Sequence, residues 1–328
     1  MIKLFKMDKK PLFYSFNQYL KKRYPFRVRK IPIDAGFTCP NRDGYKSRGG
    51  CIYCENRSFS PTTGIRELGN LGLKIKDQII KGMEFYKKNF RAEKFIAYFQ
   101  TFSNTYAPVD TLKKIYDQAL GFSDIIAIAI GTRPDCVPDN VLDLIASYSE
   151  KVNVYLEIGL QSMHNSTLKS INRQHTYEDF LDAVNRAKKR NLNICAHIIL
   201  GLPDETRKMM MQTALEIKKW GIDGLKIHHL YVAKNTPLEE LYSQGKIKLF
   251  TLPEFVKLVA DVLEVIPSNI VIERLVGELT SPYLIAPRWG KSKTEIIRYI
   301  EMELENRNSY QGKLCADEIK DNNFEYKR

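Results

Sequence analysis

Short β-branched, apolar runs recur along the chain, each followed by a stretch of helical periodicity. The runs are 31–37 (IPIDAGF), 94–99 (KFIAYF), 124–130 (DIIAIAI), 152–158 (VNVYLEI), 193–200 (NICAHIIL) and 225–230 (LKIHHL). From the second run onward their midpoints lie about 30, 28, 42 and 31 residues apart, the repeat of strands alternating with helices in a parallel sheet. The runs are mostly apolar rather than alternating, as expected of strands covered on both faces. Between them, 74–90 carries Ile75, Ile79 and Met83 at helical spacing, and 110–120 and 138–148 follow, the latter with Pro138 at its start. The helix at 176–190 opens on Thr176 and Asp179, close to a capping box, and that at 205–220 runs into Gly221 as a C-cap. Six such units predict a partial barrel or a doubly wound sheet, and in both the active groups collect at the C-terminal ends of the strands. After Tyr231 the rhythm stops. Helices are expected at 254–266 and 293–305, with a short strand and a Pro-rich loop within 270–289 and a frayed polar end. The chain thus divides into an N-terminal segment (1–30), a core (31–245) and a C-terminal appendage (246–328).

Composition changes this picture little and charge changes it more. With 44% hydrophobic and 27% charged residues in 328, a disordered or collagen-like chain is excluded. The longest purely apolar stretch, 125–130, falls far short of the roughly 20 residues that span a membrane, and the first ten residues lack the apolar centre of a signal peptide. A cytoplasmic protein is expected. The formal net charge is +13, and residues 1–30 hold ten Lys/Arg against the single acid Asp8. Phe13, Tyr14, Phe16, Tyr19, Tyr24 and Phe26 are interleaved with these charges. Cations attract phosphates and aromatic faces stack on unpaired bases, so Lys21, Lys22, Arg23, Arg27, Arg29 and Lys30 are candidate nucleic-acid contacts. The plainer reading is a solvated amphipathic segment whose aromatics pack on the body of the protein.

Three of the six cysteines crowd into one loop, Gly36–Cys54, immediately after the first strand, in the pattern C-x11-C-x2-C (Cys39, Cys51, Cys54). Three chemistries compete there. Structural zinc wants four ligands, and no fourth Cys or His is near in sequence. A redox dithiol at Cys51 and Cys54 leaves Cys39 without a role. A four-iron cubane on three thiolates leaves one iron open, and Gly36, Gly44, Gly49 and Gly50 suit a loop wrapped closely around a bulky core. Cys136, Cys195 and Cys315 have no ligand-like spacing.

Successive strand ends carry further motifs: YFQTFSNTY (98–106), GTRPDCVPD (131–139), LEIGLQSMHNSTLKSINRQHT (156–176), HIILGLPDET (197–206) and HHLYVAKNTPLEELY (228–242), with APRWGKSK at 286–293. Together with GFTCPNRDG and GGCIYC in the cysteine loop, they resemble radical S-adenosylmethionine (SAM) enzymes of the YhcC/YtqA type, related to the radical domain of the elongator catalytic subunit. The resemblance implies an α/β fold, a (β/α)6 partial TIM barrel with a small α-rich C-terminal appendage. It implies a [4Fe-4S] cluster on Cys39, Cys51 and Cys54, with S-adenosyl-L-methionine on the open iron as source of a 5′-deoxyadenosyl radical. An electron donor such as flavodoxin or ferredoxin would be the protein partner; no membrane or DNA is expected. The first spacer is longer than the superfamily's commonest C-x3-C-x2-C.

Site roles follow from the resemblance. Tyr53 would lie near the adenine. Gln100 stands where a Gly-Gly-Glu-like element usually binds the methionine amine. Glu157 would meet the ribose hydroxyls or Arg173, the plainer alternative being a structural lysine or arginine, since an unpaired buried carboxylate is costly. Arg173 could grip the methionine carboxylate in a bidentate fork. Gln161 lies at the same strand's exit, and Gly201 lets a loop approach the adenosyl group. Arg133, His228, His229 and Tyr231 are substrate-side candidates, although adjacent strand residues face opposite ways, so only one of the two histidines is expected inside. The implied reaction modifies the wobble-uridine side chain of tRNA, from 5-carboxymethylaminomethyl to 5-aminomethyl. A radical enzyme on a small metabolite, or a zinc-stabilised RNA-binding protein without catalysis, are the alternatives.

Overall fold

A computed structural model describes residues 11–55, 74–277 and 282–315. Lys3, Lys6, Lys9 and Lys10 and the polar final dozen residues lie outside that set. Five strands occupy runs read from the sequence, β2 (Lys94–Phe99), β3 (Ile125–Thr132), β4 (Asn153–Gln161), β5 (Asn193–Leu200) and β6 (Gly224–His229), whereas β1 (Val28–Ile33) begins three residues before the expected run 31–37 and ends four before its close. A short β7 (Val232–Ala233) follows, then β8 (Val271–Arg274) and β9 (Leu284–Ala286). The main sheet is parallel, in the order β1-β2-β3-β4-β5-β6-β8, and β7 pairs antiparallel with β9. The C-terminal region therefore supplies a seventh strand to a sheet expected to have six. The sheet is curled: side chains of its two edge strands meet inside it, Lys30 Nζ of β1 lying 2.6 Å from Glu273 Oε2 of β8.

The helices are α1 (Phe16–Arg23), α2 (Ile75–Phe90), α3 (Val109–Leu120), α4 (Asp139–Ser147), α5 (Asn165–Ser170) and α6 (Tyr177–Lys188). They continue as α7 (Arg207–Glu216), α8 (Pro237–Ser243), α9 (Leu252–Val265) and α10 (Lys293–Asn306). Alternate strand residues such as Ile31, Phe99, Ile128, Leu156, Ile198 and Ile227 face outward into one continuous core under the helices. Packing is close enough that a Cβ on Gly82 of α2 would stand 2.5 Å from Ile31. The expected capping box at α6 is present, with Asp179 N donating to Thr176 Oγ1 at 3.2 Å and Thr176 N to Asp179 Oδ2 at 2.7 Å. Gly221 is left-handed at φ +64° after the helical turn that ends at Lys219. α9 and α10 pack on each other, and α9 on α7, so the appendage thickens the outer layer.

The inner face of the sheet differs at its two ends. At the N-terminal ends of the strands, α1 plugs the opening: Phe16, Tyr19 and Leu20 join Val28, Ile96, Ala127 and Tyr155 in a second, smaller apolar cluster. Ser15 N-caps α1 through a capping box with Gln18, and Ser15 bridges Ile272 of β8. α1 and the aromatics beside it thus form a stopper packed on the body of the protein, at the end opposite the cysteine loop. Among the described residues no helix is long and apolar enough to cross a membrane.

Candidate active site

The cysteine loop leaves β1 at Asp34. Gln78 of α2 anchors that exit, accepting from Asp34 N at 2.9 Å and donating to Asp34 O at 2.8 Å. Cys39 O then closes a tight turn by accepting from Arg42 N at 2.8 Å. The segment after α5 stitches the rest of the loop down: Ile52 N donates to Ile171 O at 3.1 Å, and Asn172 Nδ2 to Gly50 O at 2.8 Å. Asn172 takes a left-handed backbone to do so (φ +54°). Cys39, Cys51 and Cys54 come to line one cavity of about 150 Å³ at the C-terminal mouth of the sheet.

The sulfurs sit among N–H donors. Arg133 Nη1 lies 3.9 Å from Cys39 Sγ, Arg173 Nη1 3.7 Å from Cys51 Sγ, and Asn41 Nδ2 3.6 Å from Cys51 Sγ. Arg133 is held in a two-pronged ion pair by Asp135, at 2.9 and 3.0 Å. Burial opposes ionisation of Asp135, but Arg133 and Lys46 prevail and hold it down at about 2. Arg173 has no carboxylate partner among the described residues; it donates to Gly159 O at 2.6 Å, and its buried Nε is unpaired. Burial works against the Arg173 charge, yet Tyr53 and Cys51 raise its pKa above the usual arginine value. Gly159 makes this approach possible, because a Cβ there would stand 2.9 Å from Arg173 Nη2 and 2.7 Å from Gln161 Nε2. Gln161 itself is left-handed, at φ +83°. Burial, then Cys51, pushes the Cys54 thiol up to about 12, so it becomes a ligand only when a metal displaces its proton.

Below the mouth lies an ionic floor. Glu157 of β4, fully buried, meets Lys30 Nζ at 2.9 Å, accepts from Tyr98 Oη at 2.7 Å, lies 3.1 Å from His197 Nε2, and pairs with Lys226. Glu273 pairs with Lys30 at 2.6 Å and with Lys226 at 3.7 Å. Burial opposes the Glu157 charge, but Lys226 and Lys30 outweigh it and hold the carboxyl well below the usual range.

A second cavity, of about 190 Å³, continues from the first, sharing Tyr53, Tyr98, Gln100, Gln161 and His197 with it. Its far wall is His228, Tyr231 and Arg274. Burial, aided by Arg274 and His197, presses His228 well below the usual histidine value, and burial likewise lowers His197. Both rings are neutral near pH 7.

A family model described as the Radical SAM superfamily matches residues 39–217, and one described as the Radical_SAM C-terminal domain matches 222–306. The chain belongs to the radical SAM superfamily. It is 37% identical over 306 residues to YtqA of Bacillus subtilis, with 92% of each chain covered. It is 30% identical over 174 residues to elongator complex protein 3 of Schizosaccharomyces pombe, a match to 51% of this chain and 31% of that one. The solved archaeal Elp3 of Methanocaldococcus infernus shares the fold, with TM-score 0.64 at 16% identity over 87% of this chain and 64% of that one.

Radical SAM enzymes use a [4Fe-4S] cluster and S-adenosylmethionine. The donor set here fits such a cluster: three thiols ring one cavity, with N–H donors aimed at two of the sulfurs. Among the described residues no three His, Cys, Asp or Glu side chains converge closely enough to hold a single metal ion.

Several sequence-based expectations need correction. Glu157 makes no hydrogen bond or ion pair to Arg173; its partners are Lys30, Lys226, Tyr98 and His197, the structural alternative. Lys30 is not a surface cation but part of the ionic floor. Arg133 stands beside Cys39 rather than on the substrate side. Gly201 (φ +85°) lines neither cavity; a Cβ there would strike the Phe250 ring at 2.7 Å. Lys21 and Lys22 are exposed on α1, Arg23 donates to Asn153 Oδ1, Arg27 to Phe90 O at 3.3 Å, and Arg29 lies over the Phe90 ring, all at the plugged end. Of the adjacent histidines, His228 faces inward beside His197, while His229 packs on Trp289 with ring centroids 4.5 Å apart. Tyr98, His197, Lys226 and Arg274 join the site although the sequence assigned none of them a role; Tyr98 and His197 open two of the motifs quoted above. Two of them are polar residues within strand-like runs, His197 in NICAHIIL and Lys226 in LKIHHL.

Proposed function

We propose that this chain is a radical SAM enzyme acting on the wobble-uridine side chain of tRNA, converting a 5-carboxymethylaminomethyl group to 5-aminomethyl. The observation that carries the RNA reading is a groove of about 820 Å³ that adjoins the second cavity, sharing His229 and Tyr231 with it. Arg288, Lys291 and Lys293 line this groove together with Trp289, a pairing of cations and an aromatic suited to a phosphate backbone. Similarity to elongator complex protein 3 supports the same reading.

Cys39, Cys51 and Cys54 would hold the cluster. Once bound and reduced, the cluster supplies the electron that splits S-adenosylmethionine and yields the hydrogen-abstracting radical. Arg173, lacking an acidic partner, would bind the methionine carboxylate through its unpaired Nε, and Gln100 and Gln161 would accept from the amine and ribose donors. Tyr53, between the cavities, would pack on the adenine. Arg133 and Arg173 offset the negative charge of the sulfurs, which eases reduction. A flavodoxin or ferredoxin would deliver the electron.

The test is reconstituted enzyme, reductant and S-adenosylmethionine with tRNA bearing 5-carboxymethylaminomethyluridine. Loss of that nucleoside with gain of the aminomethyl form is expected. An unchanged nucleoside profile despite cofactor cleavage would sink the tRNA assignment in favour of a small metabolite. The zinc-stabilised, non-catalytic reading gives way to the family assignment.

A further inference from the structure

We propose that Arg274 is the specificity-determining residue of the second cavity and receives a carboxylate carried by the substrate. The inference rests on the function proposed above for the substrate's identity, and on geometry for the rest. A register shift between Leu225 and Lys226 pairs Lys226 with Arg274, out of step with the pairs before it. Glu273 consequently reaches the ionic floor while the next residue, Arg274, lines the cavity. Among the described residues the Arg274 guanidinium has no ion pair and no hydrogen bond.

The charges around it do not cancel it. In the floor two ammoniums, Lys30 and Lys226, face two carboxylates, Glu157 and Glu273, so that quartet is balanced. Among the described residues the other titratable groups lining the cavity are His197, His228 and His229, all neutral near pH 7, and the phenols Tyr53, Tyr98 and Tyr231. The cavity therefore presents one fixed, unpaired positive charge on a planar fork. Such a fork matches the two coplanar oxygens of a carboxylate. A phosphate would bring nearly two negative charges to a single cation. On the function proposed above the cofactor's own carboxylate would go to a separate guanidinium, Arg173, in the cysteine compartment; Arg274 lines only the other one.

The test uses reconstituted holoenzyme with S-adenosylmethionine bound. Affinities for 5-carboxymethylaminomethyluridine and for its carboxamide analogue are compared by calorimetry. Wild type should prefer the carboxylate by about 10- to 100-fold, the worth of a charge-assisted hydrogen bond or two. Arg274→Gln should lose the preference while keeping wild-type iron content and S-adenosylmethionine affinity; Arg274→Lys should retain part of it. No preference in the wild type, or a preference that survives Arg274→Gln, overturns the inference. So does an equal loss of S-adenosylmethionine affinity in Arg274→Gln, which would assign the residue to the cofactor. An Arg274-dependent preference in an enzyme that leaves tRNA unchanged would support the inference and remove only the tRNA reading.

Discussion

In the lower tier of the curled sheet, Lys30 and Lys226 face Glu157 and Glu273 at hydrogen-bonding or ion-pair distance; in the upper tier, Arg173 and Arg274 have no carboxylate partner among the described residues. Both tiers place charge inside a low-dielectric fold, where an unpaired ion costs several kcal/mol. The lower tier meets that cost internally, and Tyr98 and His197 satisfy the remaining acceptor capacity of Glu157. The upper tier leaves it unmet, and surrounds it with left-handed Gln161 and Asn172 and with a glycine where no side chain fits. Charges in the floor are paired within the protein; on the proposed function, the charges of the upper tier are the ones that would hold ligands. This difference separates structural from functional polar residues where burial alone does not, since Glu157 and Arg173 are both buried.

The largest expected break in this comparison is Glu157→Gln. It leaves Lys30 and Lys226 with one carboxylate between them, and the stability loss should be about 3–5 kcal/mol by denaturant titration. Arg173→Gln should cost far less stability than that, yet reduce S-adenosylmethionine cleavage by about 10- to 100-fold, the equivalent of one or two charge-assisted bonds. A large drop in melting temperature with little change in cleavage would reverse the assignment of the two tiers. Gly159→Ala should reproduce the Arg173 defect in weaker form, because its Cβ would push against the guanidinium at 2.9 Å; normal cleavage would show that the fork tolerates displacement.

Acid sharpens the contrast further. The Glu157 carboxyl is held well below its usual value, so its contribution is fully present above about pH 4.3, the unfolded-state value, and is lost as pH falls toward the folded pKa. Wild type should lose stability on acidification below that point more steeply than Glu157→Gln; equal slopes would show that the floor does not titrate as a unit. The smallest effect concerns the two ends of the sheet. Replacing Lys291 and Lys293 should lower tRNA affinity and flatten its salt dependence by about 0.7 in log–log slope for each phosphate that is no longer neutralised. Replacing Lys21 and Lys22, exposed at the plugged end, should do neither and should change stability by less than about 0.5 kcal/mol.

Which features were legible in the sequence follows the same division. The strand–helix rhythm and the cysteine loop are local patterns, and both are present, with the first strand shifted to Val28–Ile33 from the expected 31–37. The partners of Glu157 are not local: Lys30 is 127 positions away and Lys226 is 69, so a lone glutamate in VYLEIGL reads equally as a ligand or as one member of a quartet. Arg274 was invisible for another reason. Its place in the cavity depends on a register shift in a strand that joins the sheet from the C-terminal region, where the rhythm had already stopped. The basic, aromatic N-terminus is ambiguous for a different reason. Charge and aromatic content suggest nucleic acid, but Phe16, Tyr19 and Leu20 at helical spacing turn inward to plug the sheet, and composition does not encode which face is turned.

The account stands on Cys39, Cys51 and Cys54 gripping a cluster with one iron left for S-adenosylmethionine. Its most direct test is iron and sulfide analysis of anaerobically purified, reduced protein, combined with electron paramagnetic resonance before and after adding S-adenosylmethionine. The account predicts about four iron and four sulfide per chain and a cluster signal that changes on adding the cofactor, both abolished in Cys51→Ser. Protein free of iron, or a cluster signal indifferent to S-adenosylmethionine, would contradict it.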